Sequence, residues 1–150
     1  ARLRERAPLA IAGRGASDGL ADIARRRGVF DRGRFLGEIP EAEIPTLYRD
    51  ALFLAHPSLA EGFGLPILEA FASGLPVACS NLSVFRDVAG DAAAYFDPEN
   101  IEDIARTLSS LITDGVLRTF LVRKGRPRLA KFTWTRAARA TARVYEEVSR

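Results

Sequence analysis

Short apolar runs alternate along this chain with longer segments whose apolar residues recur at helical spacing. Pro8-Leu9-Ala10-Ile11-Ala12-Gly13, Arg34-Phe35-Leu36-Gly37, Ala51-Leu52-Phe53-Leu54-Ala55, Leu75 to Ser80 and Ala92 to Phe96 are short and punctuated by glycine or proline, which predicts five short strands. The first intervening segment places Leu20, Ile23 and Ala24 inward on a helix capped by Ser17 or Asp18 and ended by Gly28. Glu41 to Asp50 carries Ile44, Leu47 and Tyr48 at i, i+3 and i+4, Pro66 to Ser73 is bounded by Pro66 and Gly74, and Ser83 to Ala89 is a short helix.

Beyond the fifth strand the pattern is helical only. Ile101, Ile104, Ala105, Leu108, Leu111 and Ile112 share one helix face. A helix from about Asp114 to Gly125 turns Val116, Leu117, Phe120 and Leu121 inward and is broken or kinked by Pro127, and a last helix runs from Thr133 to Val148. Strands alternating with helices predict an α/β domain: a Rossmann-like parallel sheet of about five strands, joined by right-handed crossovers, with helices on both faces. Ligands of such sheets bind at the C-terminal ends of the strands. That rim would hold Gly13 to Gly15, Glu38 to Pro40, His56 to Gly64 and Ser80 to Ser83.

Composition narrows the chemistry. A chain of 150 residues, 47% hydrophobic and 27% charged, suits one domain with one core. It has no apolar stretch near the roughly 20 residues needed to cross a bilayer and no apolar run at its start, so a cytoplasmic location is expected. It lacks Met and opens within a charged segment, as an excised domain would. A lone Cys79 excludes an internal disulfide and reads as a small buried strand residue, and with His56 as the single histidine no metal cluster or catalytic triad can be assembled. His56, at a strand's C-terminal end, reads first as a residue that caps or packs there and second as one that lines the cleft. The net charge is +3, and all but two of the 22 basic residues are arginine, but they are scattered, so nucleic acid is not the expected partner.

The remaining candidate chemistry sits in Glu61-Gly62-Phe63-Gly64-Leu65-Pro66-Ile67-Leu68-Glu69-Ala70, between the third strand and its helix. The helix N-terminus presents unpaired N–H groups and roughly half a positive charge, and glycines let an anion such as a phosphate approach. Glu61 lies in the loop. Glu69 lies about one turn into the helix, leaning back toward its start. Carboxylates accept hydrogen bonds from vicinal hydroxyls, so a phosphate flanked by sugar hydroxyls fits the pattern. The plain alternative is a solvated Glu61 and a Glu69 on an exposed helix face, since every doubly wound domain has such a turn.

This segment resembles the E-x7-E motif of retaining glycosyltransferases of the B-type, two-Rossmann-domain architecture, and is especially similar to family 4 (glycosyl transferases group 1). The resemblance extends through Ile11-Ala12-Gly13-Arg14-Gly15, Arg34-Phe35-Leu36-Gly37, Leu47-Tyr48, Val88-Ala89-Gly90-Asp91-Ala92, Phe96-Asp97-Pro98 and Phe132-Thr133-Trp134. It implies that residues 1–150 are the C-terminal, donor-binding half of the fold, with residues 133–149 a terminal helix crossing back to an N-terminal acceptor domain absent here. It further implies that Glu69 binds ribose hydroxyls and that Glu61, the catalytic candidate, faces the donor sugar. By the same resemblance Gly62, Phe63, Gly64 and Leu65 meet sugar and phosphates, Gly13 lines the rim, and Ile39 contacts the base. The implied substrate is a nucleotide diphosphate sugar, with no cofactor and no metal. The family's phosphate-binding Arg and Lys would precede Leu9, outside this chain, so the fragment is expected to be inactive alone, and peripheral membrane association of the full enzyme is allowed for. Two other readings stay open: a non-catalytic nucleotide-binding or partner-binding module, and half of a nucleotide-sugar epimerase.

Overall fold

In a computed structural model of the protein, residues 7–13 and 19–149 are described. Five parallel strands, β1 (Leu9–Ala12), β2 (Gly33–Gly37), β3 (Leu54–His56), β4 (Val77–Ser80) and β5 (Ala93–Phe96), form two ladders, β1-β2 and β3-β4-β5. The helices are α1 (Gly19–Arg26), α2 (Ile44–Asp50), α3 (Leu65–Ala72), α4 (Ser83–Ala89), α5 (Ile101–Thr113), α6 (Gly115–Leu129) and α7 (Trp134–Val148). The expected caps Ser17 and Asp18, and Arg14 and Gly15 of the first turn, lie outside the described residues.

The centre is β4, in which every residue is buried, because it is paired on both edges and covered on both faces. Its pleat sorts the core. Val77 and Cys79 join Ile67, Phe71, Phe85 and Val88 from α3 and α4 on one face, while Ala78 joins Phe96, Leu111 and Leu121 from β5, α5 and α6 on the other. Full burial of a side chain such as Phe85 or Phe96 stabilises by about 1.5–3 kcal/mol. Cys79 is a buried strand residue as expected, and burial pushes its thiol up to about 12.

Several expected inward positions face solvent. Leu20 and Ile23 are each 47% exposed and Leu9 of β1 is 52% exposed; Ala21 is the residue of α1 that is buried. The third apolar run pairs only from Leu54, leaving Ala51 and Leu52 outside the strand and exposed. On α6 the inward residues are Leu117 and Leu121, followed by Gly125 packed on Phe71, so Val116 and Phe120 point out; on α5, Ile101 points out. Pro127 does not end α6, which continues to Leu129. Only the last turn follows it, so little of the ladder is lost, and Arg128 ties that turn to the backbone oxygens of Val88 (2.8 Å) and Asp87. No residue of α7 is buried.

Candidate functional site

The site is built on the connection from β3 to α3. β3 ends at His56, and the loop that follows closes on Gly64, whose φ of 99° and ψ of 47° an L side chain rarely adopts. A Cβ there would stand 2.9 Å from the Phe85 ring, so glycine is required both by conformation and by space. Helix α3 starts at Leu65, one residue before the expected Pro66, and Pro66 sits within its first turn, where a missing N–H costs nothing. The first intrahelical bond runs from Ile67 N–H to Gly64 O (3.0 Å), and no side chain caps this N-terminus.

Glu61 is held from its own loop. The Ser58 hydroxyl donates to Glu61 Oε1 at 3.0 Å, and His56 Nε2 lies 3.4 Å from the same oxygen without hydrogen-bonding alignment. The imidazole packs against Phe85, ring centroids 5.1 Å apart, and burial lowers its pKa, an effect that Glu61 opposes. His56 thus packs at the strand end, as expected, and also stands directly beside Glu61.

Glu69 is held from a different element. The Tyr48 hydroxyl of α2 donates to Glu69 Oε2 at 3.0 Å. Burial, and then this bond and the charge of Glu69, push the Tyr48 pKa upward, so the phenol remains a donor through the physiological range. Glu69 itself is exposed. The carboxylate is thus solvent-accessible and at the same time held by a partner. Tyr48 was legible as an inward helix residue; its hydroxyl was not assigned, although a tyrosine on an inner face brings a polar group that needs an acceptor.

The remaining candidates are distributed along the strand ends. Gly62 is exposed, and a Cβ there would meet nothing within 4 Å. Phe63 packs edge-on against Phe132 (5.8 Å), which anchors the loop to the segment after α6, and Leu65 is 53% exposed. Gly13, at the end of β1, has a φ of 133° and donates its N–H to Gly37 O at 2.8 Å. Ile39 lies two residues past β2 and is half-buried. Among the described residues no group of three or more His, Cys, Asp or Glu could hold a metal, and no helix is long and apolar enough to cross a membrane.

A parallel α/β domain with a glycine-closed loop, a free helix N-terminus and two separately anchored carboxylates narrows the comparison with known proteins. Residues 1–128 match the family model for glycosyl transferases group 1. The chain belongs to that family. O-antigen chain mannosyltransferase B of Escherichia coli is 34% identical over 145 residues, covering 95% of this chain and 38% of that protein. Glycogen synthase of Mycobacterium tuberculosis is 34% identical over 151 residues, covering 96% of this chain and 36% of the relative. The chain thus spans well under half the length of these group 1 relatives.

Solved structures agree on the fold. Sucrose-phosphate synthase from Thermosynechococcus elongatus superposes with a TM-score of 0.80 at 22% identity, over 93% of this chain and 38% of that one. Anabaena HepE, solved in complex with UDP and glucose, gives 0.80 at 21% identity, over 93% and 40%. The C-terminal domain of a glycosyl transferase group 1 family protein from Francisella tularensis gives 0.64 at 30% identity, over 75% and 59%. These neighbours are glycosyltransferases of the two-domain B-type fold, and this chain has the fold of the C-terminal domain.

Proposed function

We propose that this group 1 glycosyltransferase domain binds a nucleotide diphosphate sugar and supplies the donor half of a transfer that retains configuration. The observation that carries this reading is the β3–α3 connection: an uncapped helix N-terminus behind Gly64, with Glu61 and Glu69 on either side of it, each held by a separate partner. The helix end and the loop glycines suit the diphosphate, whose developing charge on departure of the sugar is what such an enzyme must stabilise. Glu69 takes the ribose hydroxyls, and Glu61 faces the transferred sugar. The Gly62 to Leu65 backbone meets sugar and phosphates, Gly13 contributes to the rim, and Ile39 meets the base.

Anionic and hydroxyl groups are thus distributed along one rim, and the chemistry consists of positioning and charge stabilisation. We place the acceptor site and the cations that complete the phosphate site outside these residues, with α7 crossing to the acceptor domain. The chain alone then binds donor weakly, with a Kd in the millimolar range, about 4 kcal/mol, and transfers no sugar. HepE, which carries UDP and glucose in its structure, lends support to a nucleotide-sugar ligand.

The test is a thermal-shift panel of nucleoside diphosphates and their sugar conjugates, because a ligand specific to the native state raises stability by mass action. A concentration-dependent rise with at least one nucleoside diphosphate is expected. No rise with any of them at several millimolar would remove the donor-binding role.

A further inference from the structure

Glu69 is an exposed glutamate on an otherwise apolar helix, and it has a fixed neighbour: the Tyr48 hydroxyl reaches it at 3.0 Å from α2, 21 residues earlier in the chain. Tyr48 is half-buried, and its ring packs on the core cluster formed by α3, α4 and β4, so the hydroxyl is delivered from a rigid base. α2 also follows the loop that carries Ile39, with Pro40 and a single turn of 3-10 helix (Glu41–Glu43) between them. One helix therefore bridges the position read as the base contact and the position read as the ribose contact.

We propose that Tyr48 is a positioning residue for nucleotide binding, holding the Glu69 carboxylate in the orientation that accepts the ribose hydroxyls. This inference rests on the reading of Glu69 given above. The tyrosine hydroxyl occupies one acceptor site on Oε2 and leaves Oε1, and the remaining lone pair of Oε2, for a vicinal diol. A free glutamate on a helix surface samples several rotamers and loses that freedom when it grips a ligand, whereas a carboxylate already tethered does not. The raised phenol pKa keeps the donor protonated, so the tether persists wherever the domain is folded at ordinary pH.

The experiment compares UDP, GDP and ADP with their 2′,3′-dideoxy counterparts by NMR titration of the chain, its Tyr48→Phe and Glu69→Gln variants and the double variant. Expected are a preference of the parent for a ribonucleotide, and a roughly three- to tenfold loss of that affinity in Tyr48→Phe with dideoxy binding unchanged. The double variant should lose no more than Glu69→Gln alone. A purely structural tyrosine would weaken both ligand classes equally, and that result, or no effect on either, overturns the proposal while leaving the Glu69 reading intact. If Glu69→Gln also leaves the ribose preference unchanged, the reading of Glu69 falls and the proposal with it. The Tyr48 13Cζ resonance of the unmutated chain provides a measurement independent of variant folding. It should move with the ribonucleotide and stay nearly still with the dideoxy compound; equal movement, or none with any nucleotide, contradicts the proposal.

Discussion

Replacing Gly64 by alanine should destabilise the domain strongly, whereas the same change at Gly62, two residues away, should not. Gly64 has a φ of 99°, and its added Cβ would lie 2.9 Å and 3.0 Å from two Phe85 ring carbons and 3.4 Å from Ile67 Cδ1. Phe85 is fully buried and packed against His56, so the ring cannot swing away. The backbone conformation costs a non-glycine residue about 1–2 kcal/mol. Overpacking a filled core costs about 1–3 kcal/mol. Together these give roughly 2–5 kcal/mol, a large share of the 5–15 kcal/mol typical of a domain. In urea unfolding, the midpoint of Gly64→Ala should fall by about 1 M or more at unchanged slope. Gly62 has no left-handed φ and nothing near its Cβ, so Gly62→Ala should stay within about 0.5 kcal/mol of the parent while weakening nucleoside diphosphate binding. A Gly64→Ala midpoint equal to the parent's would refute the claim that Phe85 and this backbone turn shape the loop.

Two further outcomes follow from the geometry. Burial lowers the His56 pKa below its ordinary 6.5, so the unfolded chain binds the proton more readily; the stability from neutral His56 is complete above about pH 6.5 and is lost as pH falls toward the lower folded-state value. Chemical unfolding of the parent and of His56→Gln across about pH 5 to 7 should show a smaller pH slope in the variant, and a parent that grows more stable on acidification would mean that the ion pair with Glu61 dominates. Truncation after Thr133 removes a helix with no buried residue, in which Trp134 is 85% exposed, so the unfolding free energy should change by less than about 1 kcal/mol; a greater loss would show that α7 packs on this domain in solution.

The elements were legible from sequence where one signal dominated. α4 spans the expected residues, and β4 and β5 fall within their runs; for β4, buried along its whole length, the apolar run is what a strand covered on both faces requires. The errors arose where burial depended on what lay opposite. Leu20 and Ile23 keep helical spacing, but the β1-β2 ladder does not cover them, and Val116 and Phe120 are apolar residues on the outer side of α6. Pro127 lies close enough to the C-terminus of α6 for the helix to run on to Leu129, and the two Arg128 bonds that secure the last turn reach residues 40 and 41 positions away. At the site, the loop and both carboxylates could be read from residue type and spacing. Their partners could not: Tyr48 meets Glu69 across 21 residues, and His56 meets Glu61 only because the loop folds back over its own strand end.

The division of labour between the two carboxylates is tested most directly by calorimetric titration of a nucleoside diphosphate and its sugar conjugate into Glu69→Ala and Glu61→Ala, in this domain joined to an N-terminal acceptor domain. Glu69→Ala should weaken both ligands by roughly 1–3 kcal/mol, the range for a lost charge-assisted hydrogen bond. Glu61→Ala should weaken the sugar conjugate and spare the free diphosphate. Equal losses for both ligands in both variants would mean that the carboxylates act through the shape of the loop, contradicting separate contacts to ribose and to the transferred sugar.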